Sequence, residues 1–220
     1  DQLHEAQWSA GQLPLSMYTG NPADTKLVLN TGRNNGSGTR ATILAETQYG
    51  PFRTISQWGG PNDASNVTGA EGAGTVDTLQ NLGNNGYSGN GFVRQVLART
   101  SANVNVSGTP GQDIVIVGYL TLSDAAAITD VTGGPGVGAV DLSYNGVFYS
   151  EEAVKNGAYT LWGYQQFYGP IGITGAEQTF FDTFTAEIPN ALNPLSTGIK
   201  IPEMNVTRNG GDGGIVTPND

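Results

Sequence analysis

The run LVLNTGRNNGSGTRATILAETQYG, residues 27–50, decides how the chain is read. Leu27, Val28 and Leu29 have strand character, the chain then empties into Gly, Asn, Arg and Ser, and a helical pattern starts at once with Ala41, Ile43, Leu44, Ala45 and Thr47. The spacing predicts a strand over 26–30 and a helix over 39–48, closed by Gly50 and Pro51. A strand feeding a helix through a glycine loop is the repeating unit of α/β proteins.

The loop between them carries the chemistry. Gly36 and Gly38 let the main chain turn and approach a ligand with no Cβ in the way. The N–H groups of Ser37, Gly38 and Thr39 are expected at the helix N-terminus, where partial positive charge favours an anion. The hydroxyls of Ser37 and Thr39 add donors, and Arg33 offers a planar fork to two oxygens of a tetrahedral oxyanion. The plainer reading has Ser37 or Thr39 capping the helix, the glycines serving a tight turn and Arg33 in solvent. No Lys follows the second glycine, so this is neither a Walker loop nor a dinucleotide fingerprint.

Working outward, residues 1–13 read as a short amphipathic helix ended by Gly11 and Pro14. The stretch 54–91 is polar and glycine-rich, yet Trp58, Leu79, Leu82 and Tyr87 interrupt it, which predicts a long ordered loop region. GFVRQVLART (91–100) reads as a helix, and DIVIVGYLTLSDA (113–125) as the strongest strand, apolar on both faces at Ile114–Val117 and so expected at the centre of a sheet. Ser123 and Asp124 then start another turn or helix. Strand-like residues over 139–149 surround an Asn145-Gly146 turn. A helix over 150–155 opens on Ser150 with Glu151 and Glu152 in its first turn. An aromatic strand is expected over Tyr159–Tyr168 and a helix from about Glu177 to Leu192; the closing MNVTRNGGDGGIVTPND gives too few anchors for assignment.

Composition narrows the partners. The 220 residues carry 9 Lys and Arg against 19 Asp and Glu, a net charge near −10, which excludes an extended nucleic-acid groove or an anionic membrane face. An anion site in such a chain has to be local. There is no Cys and one His, His4, so thiolate sites, transition-metal clusters and a Ser-His-Asp triad built on Ser56 or Ser123 with Asp124 are set aside. Asp63, Glu71 and Asp212 lack the alternating spacing of a calcium loop. No catalytic residue, metal site or cofactor is expected. Trp162, Tyr164, Phe167 and Tyr168 read as core packing ahead of a sugar-stacking face. Asn35, Asn66, Asn105 and Asn205 head N-x-S/T patterns, which mark only candidate exposed positions.

GRNNGSGTR (32–40) resembles the R-x-D-G-S-G-T segment of periplasmic phosphate-binding proteins, the substrate-binding subunits of phosphate ABC transporters. GNNGYSGNGFVRQVL is similar to that family's helix entry, IVIVGYLTLSDA to its I-G-Y-V strand, and NGAYTLWGYQQFY to its G-x-Y-P-I strand, in the same order. The resemblance implies an α/β, type II periplasmic-binding-protein-like fold with two lobes that close on a ligand. It implies ligand contacts at Arg33, Asn35, Gly36, Ser37, Gly38 and Thr39, phosphate or a similar oxyanion as ligand, and membrane subunits of a transporter as partners, in a periplasmic or extracellular location.

The chain departs from the family in two places. Asn35 stands where the family has the aspartate that accepts the proton of hydrogen phosphate. A neutral amide weakens rejection of a fully deprotonated oxyanion such as sulfate. Nothing before residue 27 is similar to the family's opening strand and helix, so the expected division is 1–26 as the end of a first lobe or crossover, 27–125 as the cradle lobe, and 126–220 as a return segment with a polar tail. This truncated pattern, with few Lys and many Asn, Gly and Thr, supports a second expectation from another class: a structural or assembly subunit at the cell surface that pairs with copies of itself.

Overall fold

A computed structural model describes residues 2–59, 76–79, 81–98, 104–106, 114–128, 139–195 and 198–219; residues 60–75, with Asp63, Glu71 and Asn66, lie outside that set. The protein is mixed α/β with small sheets, and it divides into two compact units, Asp1–Leu142 and Ser143–Asp220.

The first unit is organised on β2 (Leu27–Asn30), the strand read from the opening stretch. β1 (Gln12–Pro14) pairs antiparallel to one side of it and β7 (Ile114–Val117) parallel to the other, with Leu29 opposite both Gln12 and Ile116. Val28 and Leu29 are both buried, so both faces of β2 are covered. The expectation that 114–117 would be central is corrected: β2 takes the centre, while β7 pairs with β2 alone among the described residues and leaves Val115 exposed. Continuous apolarity marked burial of Ile114, which the helices supply, and did not require a second neighbouring strand.

Helix α1 (Gln2–Ala10) ends at Gly11, whose φ of +79° is the left-handed stop that glycine accepts at no steric cost. Its Gln7 side chain is buried and donates from Nε2 to the Val28 carbonyl at 3.1 Å and to Asn30 Oδ1 at 3.0 Å, locking the helix to β2. After a single helical turn, α2 (Ser16–Thr19), and β2 itself, α3 (Gly38–Glu46) buries Arg40 and Leu44, which stand one turn apart on its inner stripe. Leu44 packs with Trp8, Tyr49, Ile55 and Tyr119.

β3 (Gln57–Gly59) pairs antiparallel with β5 (Asn81–Gly83), and β4 (Val76–Leu79) pairs parallel with β6 (Val104–Val106). Helix α4 (Asn90–Leu97) buries Val93 and Val96 beside Leu29, Trp58, Tyr87 and Ile114. α5 (Leu122–Ala126) is short; Thr121 is its N-cap residue, and Ser123 and Asp124 fall inside its first turn.

In the second unit, Asn145 and Gly146 have φ of +51° and +81° and form the predicted tight turn, closed by a single Tyr144–Val147 bridge. Ser150 caps α6 (Glu151–Lys155) by accepting from the Ala153 N–H at 3.0 Å. The expected strand over 159–168 is absent: the segment runs without strand pairing and is held by its rings, Trp162 edge-on to Tyr164 at 5.4 Å. Aromatic enrichment signalled packing here, without the alternation a ladder needs. Helix α7 spans Gly175–Leu195, and the unassigned tail forms a 3-10 turn, Ile201–Glu203, and a hairpin of β8 (Val206–Arg208) and β9 (Val216–Pro218). Val154, Met204 and Val206 are the buried centre of this unit. None of the described helices is long and apolar enough to cross a membrane.

Leu44 is fully buried on the stripe that joins α3 to α1, so Leu44→Ala should lower unfolding stability by about 2–5 kcal/mol, read as a fall in the urea midpoint with unchanged slope.

Candidate functional site

The cradle begins where β2 runs past its last ladder partner. Thr31 and Arg33 continue the strand direction and form parallel bridges to Trp58 and Tyr87. The Thr31 hydroxyl donates to the Trp58 carbonyl at 2.7 Å, and the Tyr87 N–H donates to the Gly32 carbonyl at 2.8 Å. This places residues 33–39 on a rigid base, with Asn35, Gly36 and Gly38 exposed, Ser37 buried, and Arg33 and Thr39 half-buried. Nothing lies within 4 Å of where a Cβ would stand on Gly36 or Gly38, so the mouth of the loop is open.

Ser37 is the cap of α3. Its Oγ accepts from the Arg40 N–H at 3.4 Å, the N-cap arrangement, with φ −90° and ψ 127°. A hydroxyl that accepts still has its own proton to donate, so capping leaves one donor available. The Ser37 N–H itself donates to the Asn34 carbonyl at 3.1 Å, which removes it from the expected donor set. Gly38 and Thr39 remain as first-turn N–H groups with no carbonyl one turn earlier in the helix.

Arg33 does not extend into solvent. Its Nε donates to the Tyr87 carbonyl at 3.2 Å, Nη1 to Asn90 Oδ1 at 2.8 Å and Nη2 to the Ser88 carbonyl at 3.0 Å. These bonds use three of the five N–H donors of a guanidinium, leaving one on each terminal nitrogen. The fork is therefore aimed and immobilised.

The residue that the expected site omitted is Arg40. It is 3 % exposed; Nη1 donates to the Asn84 carbonyl at 2.7 Å and to the Arg33 carbonyl at 3.4 Å, and Nη2 donates to Asn84 Oδ1. Burial pulls its pKa down from the ordinary arginine value. The signal for Arg40 was present in its spacing, since it shares the inner stripe with Leu44. Among the described residues neither Arg33 nor Arg40 forms an ion pair with a carboxylate. The hydrogen bonds of their guanidinium groups go to neutral oxygens, so the loop keeps its positive charge in a chain whose net charge is −10.

Tyr119 closes the back of the site. Its hydroxyl accepts the Arg33 N–H at 3.1 Å, and its ring packs against Gly32, where an added Cβ would stand 2.5 Å from ring atoms. Burial pushes its phenol up to about 12, although the Arg33 N–H and the two arginines pull the other way. Gly86 is similarly confined: a Cβ there would meet the Arg33 carbonyl at 2.5 Å and Gln57 Nε2 at 2.4 Å.

The remaining candidates fall elsewhere. His4 stands edge-on to Trp8 at 5.4 Å. Asp124 pairs with Arg94 at 3.1 Å and accepts from the Thr121 hydroxyl. Trp162 packs into the core of the second unit beneath the Arg208 guanidinium, while Phe167 and Tyr168 are exposed.

Two outcomes test this geometry. Gly32→Ala should displace the Tyr119 ring, and in a spectrophotometric titration the late phenol near pH 12 should return toward the ordinary range near 10. Because the folded-state pKa of Tyr119 is raised above the ordinary tyrosine value of 10.0, the stability it contributes is complete below pH 10 and lost as pH rises through about 12. Tyr119→Phe should flatten that alkaline loss in thermal melts across the same window. Compared with family models, curated proteins and solved structures, the chain finds no match.

Proposed function

We propose that residues 33–39 bind a small oxyanion of the phosphate class and that the chain is a non-enzymatic, exported binding protein of the type II periplasmic-binding-protein kind. The observation that carries this reading is the pair of arginines, Arg33 and Arg40, fixed by neutral oxygens of residues 84–90 behind a solvent-open helix start. Guanidinium charge without a carboxylate partner is costly to hold at a partly buried position, and an anion at the Gly38 and Thr39 N–H groups offsets that cost. The contacts in this reading are the Gly38 and Thr39 N–H groups, the hydroxyls of Ser37 and Thr39, the remaining Arg33 donors and the Asn35 side chain, with Gly36 giving room for approach. The expected oxyanion-facing groups are donors or, at Asn35, a neutral amide, so sulfate is accepted along with phosphate. Delivery to membrane subunits of a transporter in the periplasm or outside the cell belongs to the same proposal and rests on the resemblance at residues 32–40.

A second reading, a surface assembly subunit that pairs with its own copies, is favoured by exposed apolar side chains of the second unit away from α7, Phe148, Ile171 and Ile215 among them.

Calorimetry with phosphate, sulfate and arsenate separates the two. Gly38→Pro is the sharpest variant: proline suits the first helical position, Ser37 already has the extended backbone that must precede it, and space around Gly38 is open. It should leave the melting temperature unchanged and weaken oxyanion binding about tenfold or more by deleting one charge-assisted donor. Asn35→Asp should abolish sulfate binding while retaining phosphate. No heat with any oxyanion from a folded sample would sink the binding reading in favour of assembly.

A further inference from the structure

We propose that the aromatic face of α7 is a docking surface for a basic amphipathic segment of a partner protein. Phe180 and Phe184 stand one turn apart and are 67 % and 44 % exposed. Phe167, from the preceding segment, is 45 % exposed, stacks on Phe181 at 5.0 Å and lies tilted against Phe184 at 5.0 Å, so the rings form one patch. Phe180 and Phe184 are themselves 5.8 Å apart between centroids. Contiguous exposed rings of this kind are the usual mark of an interaction surface.

The charge around the patch selects the occupant. Glu177 lies one turn before Phe180 and Phe181, and Glu187 three residues beyond Phe184, so by helical spacing both flank the aromatic stripe at its two ends. α7 has an acid in its first turn and no basic residue in its last, and neither glutamate is in an ion pair among the described residues. A segment that places apolar side chains at i, i+3 and i+4 with Lys or Arg at both ends complements this surface.

Pairing with a second copy fits poorly. Residues 143–220 hold three basic side chains, Lys155, Lys200 and Arg208, against eight acids. Lys155 is already paired with Glu203 at 2.9 Å, and Arg208 is committed under the hairpin, donating to the Gly214 carbonyl at 2.7 Å. Two such faces brought together would set acid against acid.

The test is fluorescence anisotropy of the full chain with a labelled Leu/Lys model helix, beside a Ser/Lys peptide of equal charge and a Leu/Glu helix. The Leu/Lys peptide should bind at low salt, and the other two at least about tenfold more weakly. Phe180→Ser with Phe184→Ser, and separately Glu177→Lys with Glu187→Lys, should each cost about tenfold while leaving the melting temperature and oxyanion binding intact. Equal binding of the Ser/Lys peptide, or a double-Phe variant within about twofold of the parent, would mean that bulk negative charge alone attracts the peptide, and would overturn the proposal. A failure of the Leu/Lys helix to bind would overturn it too. So would a dimer in sedimentation that the Phe substitutions dissolve, since the occupant would then be a second copy.

Discussion

The buried guanidinium of Arg40 ties together the pieces from which the cradle is made. It projects from α3, reaches the Asn84 main chain and side chain, and touches the Arg33 carbonyl at the end of β2. The strand–loop–helix unit is thereby joined to a segment 44 residues away through one planar group with fixed donor directions. Asn84 is used twice more economically than its size implies, because its Oδ1 also accepts the Ile55 N–H at 3.0 Å. Loss of this arginine would take the donor from the Asn84 carbonyl, at the cost of an unmet polar group, while the Arg33 carbonyl and Asn84 Oδ1 would keep Gln57 Nε2 and the Ile55 N–H.

Around that hub the glycines are placed by space and by torsion for different reasons. Gly32 and Gly86 are required because a Cβ would collide with Tyr119, Arg33 or Gln57, whereas Gly36 and Gly38 face open space and matter for access. The same residue type therefore closes the back of the site and opens its front.

The sequence made the strand–loop–helix unit at 27–50 legible because apolar spacing changes period there and Ser37 has the chemistry of a cap. α4, α6 and the Asn145-Gly146 turn were readable for the same local reasons. What was illegible depended on distant partners. The position of β7 at the edge of its sheet among the described residues, the loss of a strand at 159–168 and the hairpin at the C-terminal end follow from which segments happen to meet, and single-residue patterns do not encode that. In the site, donors were easy to nominate from residue type. That the Ser37 N–H is occupied by Asn34, that Arg33 is clamped by 87–90, and that Arg40 and Tyr119 stand behind it required coordinates.

The bond between the Arg33 N–H and the Tyr119 hydroxyl spans 86 residues of chain. The guanidinium of Arg33 waits for residues 87–90, separated from it by 54 to 57 positions. A site stitched from such long loops is slow to form, since closure entropy is lost before any contact compensates for it. During synthesis or passage through a narrow exit, the loop at 33–39 emerges well before the groups that shape it. The nascent chain consequently has no completed base under this loop until Tyr119 has followed, and an oxyanion bound as proposed would act on folding only at the end, by trapping the completed arrangement.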